Sequence, residues 1–441
     1  MCLIKSLGFI AVIQLSAACQ DLLSCILVDN VWSGHPVGFA LLTDAPRQYV
    51  GYYDAERRMV IAQRSLDSME WARQVLDETL EWDSHNYIEM ALDATGNLHV
   101  SGNMHGHPLK YFRTLVPYDV TTLERVPAMV GKDEAKVTYP FFMKGPQGEL
   151  IFKYRDGSSG SGNEIYNGYD AASQQWRRLM DTPLVDGEGQ RNAYFDGPVL
   201  GPDGYYHLAW VWRETRDCET NHDVTYARSR DLQHWENSHG TVYTLPITLA
   251  TAEIVDPVPV GGGLINGNVR LGFDAEKQVV ISYHKYDAQG NSQVSNARLE
   301  NGAWLISQIT HWEFRWNFQG PGAIPFEVHV DPIQIMDDGS TTQEWSTKEN
   351  GRERWRLDPQ TLALIERMDL PSKRPSGEAV RSSFPGMQVR SEKDTGAYVV
   401  DGKKYVLRWE SLGPNRDRAR EKPWPEASGL EVCLVANGDP H

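Results

Sequence analysis

The chain has 441 residues, of which 41% are hydrophobic and 23% are charged, so it can bury a core and is not disordered throughout. Acidic residues outnumber basic ones by 59 to 43, and the formal net charge of -16 argues against nucleic acid as the main partner. The 10% aromatic content, together with 38 glycines and 24 prolines, favours a soluble, turn-rich β protein.

The first twenty residues have the pattern of a secretory signal peptide. Lys5 precedes an apolar run over 6–18 that ends in small residues. We therefore expect 1–20 to be removed and the protein to be secreted. A lipid anchor or a periplasmic location is less favoured, and a buried N-terminal strand or helix is the structural alternative. No later segment approaches the ~20 apolar residues of a membrane span.

A hairpin pattern recurs along the rest of the chain. An apolar strand enters a short turn with Gly, Asp or Pro and is followed by an aromatic-rich strand. The pattern occurs seven times, at 36–42 with 48–53, 86–93 with 98–103, 139–145 with 150–155, 194–200 with 205–213, 268–273 with 279–286, 327–336 before the turn 337–340, and 381–390 with 399–409. The last two copies are the poorest.

Two further strand-like segments follow the clear hairpins, for example 59–63 and 71–75 after the first. Four antiparallel strands repeated every roughly 50–70 residues are typical of a β-propeller blade. We therefore predict an all-β fold, a seven-bladed β-propeller with four antiparallel strands per blade, over 21–441 as a single domain. A β-sandwich with ordinary hairpins is the alternative.

The turns before two fourth strands share a spacing. Ser65-x-Asp67 precedes Trp71, and Ser229-x-Asp231 precedes Trp235 in the same way. Both turns resemble degenerate versions of the Asp box of sialidase-type repeats.

A propeller has to close its ring, and the two ends of the chain offer the strands to do so. Segments 22–28 and 430–435 are both short and apolar, and pairing them within one blade would cover two exposed sheet edges. Cys25 and Cys433 would then lie on neighbouring strands, either as a disulfide or as two buried thiols. With so few cysteines, the chain is not a disulfide scaffold.

In a propeller, the start of each innermost strand and the end of the next strand crowd around one mouth of the central channel. The side chains at these points are His, Tyr and Arg, namely His85, His105, Tyr139, Arg155, Tyr194 and Arg213. His35 joins them because Trp32-x-x-His35 repeats the spacing of Trp82-x-x-His85. The alternative for each histidine is a structural role at the end of a strand, without a part in a site.

This rim lacks the facing carboxylate pair that a typical glycosidase requires, since Asp83 and Asp156 lie nearby but displaced. An Arg fork suits a carboxylate or a sulfate, and His and Tyr can move protons. These are the parts needed for β-elimination from a uronate.

At these residues the chain resembles the seven-bladed propeller polysaccharide lyases with BNR-type repeats, a group that includes ulvan lyases and rhamnose–glucuronate lyases. The resemblance is densest at 82–105, 139–155, 186–231 and 413–425. It implies His85, His105, Tyr139 and Arg155 as catalytic residues. Arg155 is expected to clamp the uronate carboxylate and Tyr139 to transfer the proton, as base and acid in turn if the elimination is syn. One of the two histidines is expected either to act as the alternative base or to hold Tyr139 ionised by hydrogen bonding. Tyr194, Arg213 and His35 are expected to bind substrate.

A second cluster suggests a metal. His207, Cys218, His222 and His284 offer one thiolate and three imidazoles, which suit tetrahedral zinc, although their spacing is not a standard motif. The resemblance implies a structural zinc ion joining blades. The alternative is a buried free cysteine beside ordinary histidines.

We therefore expect a secreted, monomeric carbon–oxygen lyase that cuts an anionic glycan containing rhamnose and glucuronate. The substrate is either ulvan or rhamnose-capped glucuronate, as in arabinogalactan. A propeller glycoside hydrolase acting on the same linkage and a non-catalytic carbohydrate-binding propeller are the two alternatives.

Overall fold

A computed structural model describes residues 24–370 and 379–436. Within these ranges the chain forms β-strands and two short 3₁₀ turns, Val120–Thr122 and Cys218–Thr220, without an α-helix. The predicted signal peptide at 1–20 lies outside the described residues. In the part of the chain that is described, no helix is long and apolar enough to cross a membrane.

The strands form seven antiparallel sheets, which are the seven predicted blades. Blade 1 contains β2 (Ala40–Asp44), β3 (Arg47–Tyr53), β4 (Arg58–Ser65) and β5 (Ala72–Thr79). Blade 2 contains β6 (Ile88–Leu92), β7 (Leu98–Gly102), β9 (Tyr111–Thr114) and β10 (Leu123–Arg125). Blade 3 contains β8 (His105–His107), β11 (Val137–Lys144), β12 (Leu150–Ser158), β13 (Ser161–Asp170), β14 (Gln175–Arg178) and β15 (Val185–Asp186).

The remaining blades follow the same order, with extra short strands at some edges. Blade 4 contains β16 (Asn192–Leu200), β17 (Tyr206–Arg213), β18 (Asn221–Ser229), β19 (Trp235–Glu236) and β20 (Glu253–Asp256). Blade 5 contains β21 (Val269–Phe273), β22 (Val279–Tyr286), β23 (Ser292–Glu300) and β24 (Ala303–Gln308). Blade 6 contains β25 (Val328–Val330), β26 (Gln334–Ile335), β27 (Thr341–Thr347), β28 (Gly351–Leu357) and β29 (Leu364–Met368). Blade 7 contains β1 (Ser24–Val31), β30 (Met387–Lys393), β31 (Val399–Val400), β32 (Lys403–Leu412) and β33 (Ser428–Ala436).

The first strands of successive blades contact one another, as β2 contacts β6, β6 contacts β11 and β30 contacts β2. These strands therefore surround the central axis, and the predicted all-β, seven-bladed propeller is confirmed. Each predicted hairpin lies at the start of a blade. The core lies between the faces of adjacent blades, where Ala209 and Val211 of blade 4 pack with Leu271 and Ile281 of blade 5. Burial of each large apolar side chain contributes roughly 1.5–3 kcal/mol.

The ring is closed by the two ends of the described chain. Strand β1 pairs antiparallel with β33, and the register places Cys25 opposite Cys433. The two cysteines form a disulfide, so of the two sequence alternatives the structure contains the bond rather than two thiols. The predicted N-terminal strand at 22–28 is observed from Ser24 to Val31.

Only one of the two Asp-box turns has the hydrogen bonds of such a box. Asp231 accepts from the backbone N–H groups of Gln233 at 2.9 Å and His234 at 2.7 Å, above the fully buried Trp235. In the other turn the Arg64 guanidinium donates to the Ser68 carbonyl at 2.8 Å instead.

Candidate active site

A strand that crosses between blades brings the two histidines to Tyr139. After β7 of blade 2, the chain enters β8, which pairs with β11 of blade 3 and places His105 opposite Thr138. The turn that carries Asp83 and His85 lies just before β6 on the same side. As a result, side chains from blades 2 and 3 meet at one mouth of the channel, as predicted.

Asp83 is the centre of this group. Its Oδ1 lies 2.7 Å from His85 Nδ1, and its Oδ2 lies 2.6 Å from His105 Nδ1. The imidazole rings stack with their centroids 4.1 Å apart. Burial disfavours the charged carboxylate, but the hydrogen bonds from both histidines outweigh it and hold the pKa of Asp83 well below its usual range. An ionised Asp83 therefore directs both Nδ1–H bonds toward itself.

The Nε2 atom of each imidazole, on the ring edge away from Asp83, is open to the cleft. No described residue donates to or accepts from Nε2 of His85 or His105. Their side chains are 24% and 27% exposed, so both reach the cleft. A carboxylate that fixes Nδ1–H leaves Nε2 as the proton acceptor, which is how an acid orients a catalytic histidine.

Tyr139 faces the histidines from a distorted strand. Its φ is +56°, an unusual conformation for a non-glycine residue, and β11 has a bulge between Thr138 and Phe141. The bulge turns the Tyr139 ring toward the rim, 5.8 Å from the His85 ring and 6.4 Å from the His105 ring. Burial raises the pKa of Tyr139, so the phenol is held protonated.

Two arginines surround the neighbouring Tyr194. The Arg155 guanidinium lies 4.9 Å from the Tyr139 ring centre and 5.9 Å from that of Tyr194. Arg213 Nη1 lies 3.4 Å from the Tyr194 hydroxyl. Burial opposes ionisation of Tyr194, but Arg213 and Arg155 together lower its pKa below the ordinary value. The surroundings therefore raise the pKa of Tyr139 and lower that of Tyr194, although the two ring centroids are only 6.1 Å apart.

Among the charged side chains of this site, Arg155 has the fewest hydrogen-bond partners. It is 3% exposed, and its Nε and Nη1 are buried without a hydrogen-bond partner. No carboxylate of the described residues forms an ion pair with it. A buried guanidinium in this state is costly unless an anion reaches it.

The cleft at this mouth has a volume of about 620 Å³. Five residues predicted from the sequence line it, namely His85, His105, Tyr139, Tyr194 and Arg213, whereas the predicted Arg155 does not. Asp83, which the sequence pattern placed away from the rim, lines the cleft between the two histidines. The pattern also gave no role to the loop residues Ser159, Arg216, Asn266, Arg416, Asp417 and Arg418. The resemblance had indicated the 413–425 segment as a whole, without a role for any of its residues.

His35, predicted to bind substrate, does not line the cleft. Its side chain is 0% exposed, and its Nε2 lies 3.5 Å from Asp417 Oδ1, behind the cleft wall. The repeated Trp-x-x-His spacing nevertheless has a structural meaning. Trp32 and Trp82 pack edge to face at 5.6 Å, and both histidines of the repeat face Asp417.

The four predicted zinc ligands do not form one site. In blade 4, His207 pairs in register with Arg228 and His222 pairs with Trp212. Residues 207 and 212 of β17 are about 16 Å apart at the usual rise per residue. His207 instead contacts Tyr226 and Asp203, and His222 contacts Glu214 and Asp223, so all four of their ring nitrogens are engaged.

The other two predicted ligands lie in the core. His284 Nδ1 is 2.6 Å from the Gly263 carbonyl, and Cys218 is a buried free thiol. Among the described residues, the groups of three metal-binding side chains within 4.8 Å are Asp83, His85 and His105, and the disulfide pair with Glu431. Zinc accepts two imidazoles and a carboxylate, but distances of 2.7 and 2.6 Å from Nδ1 to Asp83 are those of direct hydrogen bonds. The predicted zinc ligand set is therefore wrong.

The fold and site define a seven-bladed β-propeller with a His–Tyr–Arg mouth. Residues 47–312 match a family described as BNR repeat-containing family member, and the chain belongs to this family. Comparison with curated proteins gives no match.

Solved structures share the fold across almost the whole chain. The crystal structure of polysaccharide lyase Uly1 has 14% sequence identity, covers 92% of both chains and has a TM-score of 0.59. A PL25 ulvan lyase, described as a new family of polysaccharide lyase, also has 14% identity and a TM-score of 0.59, and covers 93% of this chain and 95% of its own. A further structure of that lyase, with the same identity, coverage and TM-score, is bound to -[GlcA(1-4)Rha3S]-.

Proposed function

We propose that this protein is a secreted polysaccharide lyase that cuts a glycan containing rhamnose and glucuronate by β-elimination. The observation that carries the proposal is the Asp83 carboxylate holding two imidazoles whose Nε2 atoms face the cleft beside a protonated Tyr139. The whole-chain likeness to a PL25 ulvan lyase, one structure of which is bound to -[GlcA(1-4)Rha3S]-, supports the same chemistry. The disulfide between Cys25 and Cys433 suits an oxidising compartment and supports secretion.

The proposed reaction removes the C5 proton of the uronate and breaks the bond between C4 and O4. The electron pair of the C5–H bond forms the C4=C5 double bond, and the leaving O4 takes a proton. Neutral His85 or His105 accepts the C5 proton at Nε2, because Asp83 holds the Nδ1 proton. Tyr139 gives its hydroxyl proton to O4, because burial keeps that phenol protonated.

Arginines prepare the substrate for this proton transfer. Removal of the C5 proton becomes easier when the adjacent carboxylate is neutralised, because negative charge then spreads onto it in the transition state. Arg213 lines the cleft and is proposed to contact the carboxylate directly. Arg155 does not line the cleft, but its buried guanidinium lies against the Tyr139 and Tyr194 rings and is proposed to favour the carboxylate through its charge. A bound anion would in turn lower the electrostatic cost of burying Arg155 without a hydrogen-bond partner.

The carboxylates at the cleft disfavour the hydrolase alternative. A glycosidase needs one carboxylic acid held protonated and a second carboxylate facing it. Asp83 and Asp417 line the cleft, but the hydrogen bonds each accepts outweigh burial and hold both pKa values well below the usual range. Neither is available as the acid.

The products identify the activity. The protein, incubated with ulvan and with rhamnose-capped glucuronate glycans, is expected to release products with the ultraviolet absorbance of a 4,5-unsaturated uronate. Saturated reducing ends would identify a hydrolase, and binding without any product would identify a lectin-like protein. Either result contradicts the proposal.

Replacing Tyr139 with Phe tests the proton donor. Loss of a general acid is expected to reduce kcat by about 10²–10⁴-fold, while the fold is retained. Tyr205→Phe changes a half-buried tyrosine of blade 4 that packs against Arg230 and does not line the cleft, so this matched control is expected to keep full activity. Wild-type kcat in Tyr139→Phe would remove this residue from the mechanism.

A further inference from the structure

Asp417 is a feature of the cleft that the proposed mechanism does not use. It lies in the loop between β32 and β33, and both Arg416 and Asp417 have positive φ, at 61° and 56°. Two successive non-glycine residues in this conformation cost on the order of 1–3 kcal/mol each, so their surroundings must hold them. The Asp417 side chain is 12% exposed and lines the cleft.

The carboxylate of Asp417 joins loops from distant parts of the ring. Its Oδ1 accepts from the backbone N–H of Ser84 at 3.0 Å and from the Ser84 hydroxyl at 2.7 Å. Its Oδ2 accepts from the backbone N–H of Ala323 at 3.0 Å. Ser84 precedes blade 2 and Ala323 precedes blade 6, so one side chain of blade 7 fixes two other loops.

Neighbouring contacts hold this junction tightly. The Arg416 guanidinium donates to the carbonyls of Gln319 at 3.2 Å and Pro321 at 3.1 Å. Gly322 packs against the same residue, and a Cβ atom there would lie 2.9 Å from the Arg416 carbonyl oxygen. Asp417 therefore has little freedom to move away from Ser84.

The turn that Asp417 holds through Ser84 carries His85, one of the two proposed bases. Ser84 lies between Asp83 and His85, and His85 Nδ1 is 2.7 Å from Asp83 and 3.7 Å from Asp417 Oδ2. Of these two carboxylates, Asp83 alone lies beside Nδ1 of His105. The buried His35 lies on the other side of Asp417, with Nε2 3.5 Å from Oδ1.

We propose that Asp417 is a positioning residue that fixes the Asp83–His85 turn and thereby the orientation in which His85 Nε2 faces the cleft. This inference rests on the proposed lyase function for its kinetic effect, but not for its structural effect. Asp417 does not touch the reacting atoms in this role. It acts through the Ser84 backbone and the imidazole of His85.

The kinetic test compares Asp417→Asn with a matched control. Loss of a residue that orients a catalytic group is expected to lower kcat by about 10–100-fold, with KM little changed. The control is Asp394→Asn. Asp394 also bonds a backbone N–H of another blade, that of Thr43 at 2.7 Å, but lies away from the cleft. It is expected to keep kcat even where stability falls.

A second readout does not depend on activity. In ¹⁵N-histidine NMR spectra, with the His85 signals assigned by difference from His85→Gln, Asp417→Asn is expected to shift those signals and Asp394→Asn to leave them unchanged. Unshifted His85 signals, or equal kcat losses in both variants, would overturn the positioning role. If the wild type produces no unsaturated uronate, the proposed function fails, and the NMR comparison alone decides the role of Asp417.

Discussion

Asp83 is shared by two imidazoles, and this sharing fixes the geometry of the site. One carboxylate oxygen lies 2.7 Å from His85 Nδ1 and the other 2.6 Å from His105 Nδ1, so neither ring can rotate without losing its hydrogen bond. The two rings are held as a stacked pair, 4.1 Å apart, with both Nε2 atoms toward the cleft. A single carboxylate therefore orients both candidate bases.

A carboxyl on the innermost strand of blade 2 predicts a pH effect on stability. Burial raises the pKa of Glu89 from 4.5 to about 8. Below the unfolded pKa, Glu89 is protonated in both states and costs nothing. As pH rises toward 8, the unfolded chain loses this proton more readily than the folded chain, so the free energy of unfolding falls. Glu89→Gln is expected to raise Tm at pH 8 but not at pH 4.

The control for this pH effect is Glu313→Gln, which changes an exposed glutamate and is expected to shift Tm little at either pH. Glu392, whose pKa burial raises to about 7, is retained in both variants, and its charge adds to the raised pKa of Glu89. Thermal unfolding curves at both pH values measure the difference. An equal gain in Tm at pH 4 and pH 8 would show that the Glu89 carboxyl does not titrate in this range.

At the residue scale, sequence predicted strand-end side chains well and loop side chains poorly. Tyr139 and His105 were found because the hairpin repeat fixes where a strand begins or ends. Asp417 and Arg416 were missed because their distance from Ser84 and Gln319 depends on how three loops fold over the mouth. His35 was misplaced since a repeated spacing shows position along a blade but not burial.

At the element scale, the two Asp-box turns provide a matched pair of variants. Asp231→Ala removes the acceptor for two backbone N–H groups and is expected to lower the free energy of unfolding by about 1–3 kcal/mol. Asp67→Ala, at the equivalent position in blade 1, is expected to cost much less, because Arg64 caps that turn. Urea unfolding measures both. Equal losses would mean that the Asp231 bonds do not stabilise the turn.

The order of strands was predictable for most blades, because period-two patterns and Gly- or Asp-rich turns mark each hairpin. The crossing of β8 from blade 2 to blade 3 was not, since three residues carry no periodicity. The zinc prediction failed at the same scale. His207 and His222 are close in sequence, but they lie toward opposite ends of the hairpin formed by β17 and β18.

For the whole molecule, the bond between Cys25 and Cys433 is expected to be a main source of stability. Removing a native disulfide typically costs about 2–5 kcal/mol, and here the crosslink spans 408 residues. Cys25→Ser is expected to lower Tm, and a reducing agent is expected to lower the Tm of the wild type but not of this variant. A reductant effect that persists in Cys25→Ser would point away from this bond.

Closure of blade 7 by the first and last strands also sets an order of events during synthesis. At about 5–20 residues per second, a ribosome needs roughly 20–80 s to make the 408 residues that separate the two cysteines. Throughout this time β1 has no β33 to pair with, even after synthesis passes Met368 and blades 1 to 6 are complete in sequence. The ring is therefore assembled as an open arc whose final blade forms last, and its unpaired edges need protection from other chains until β33 arrives.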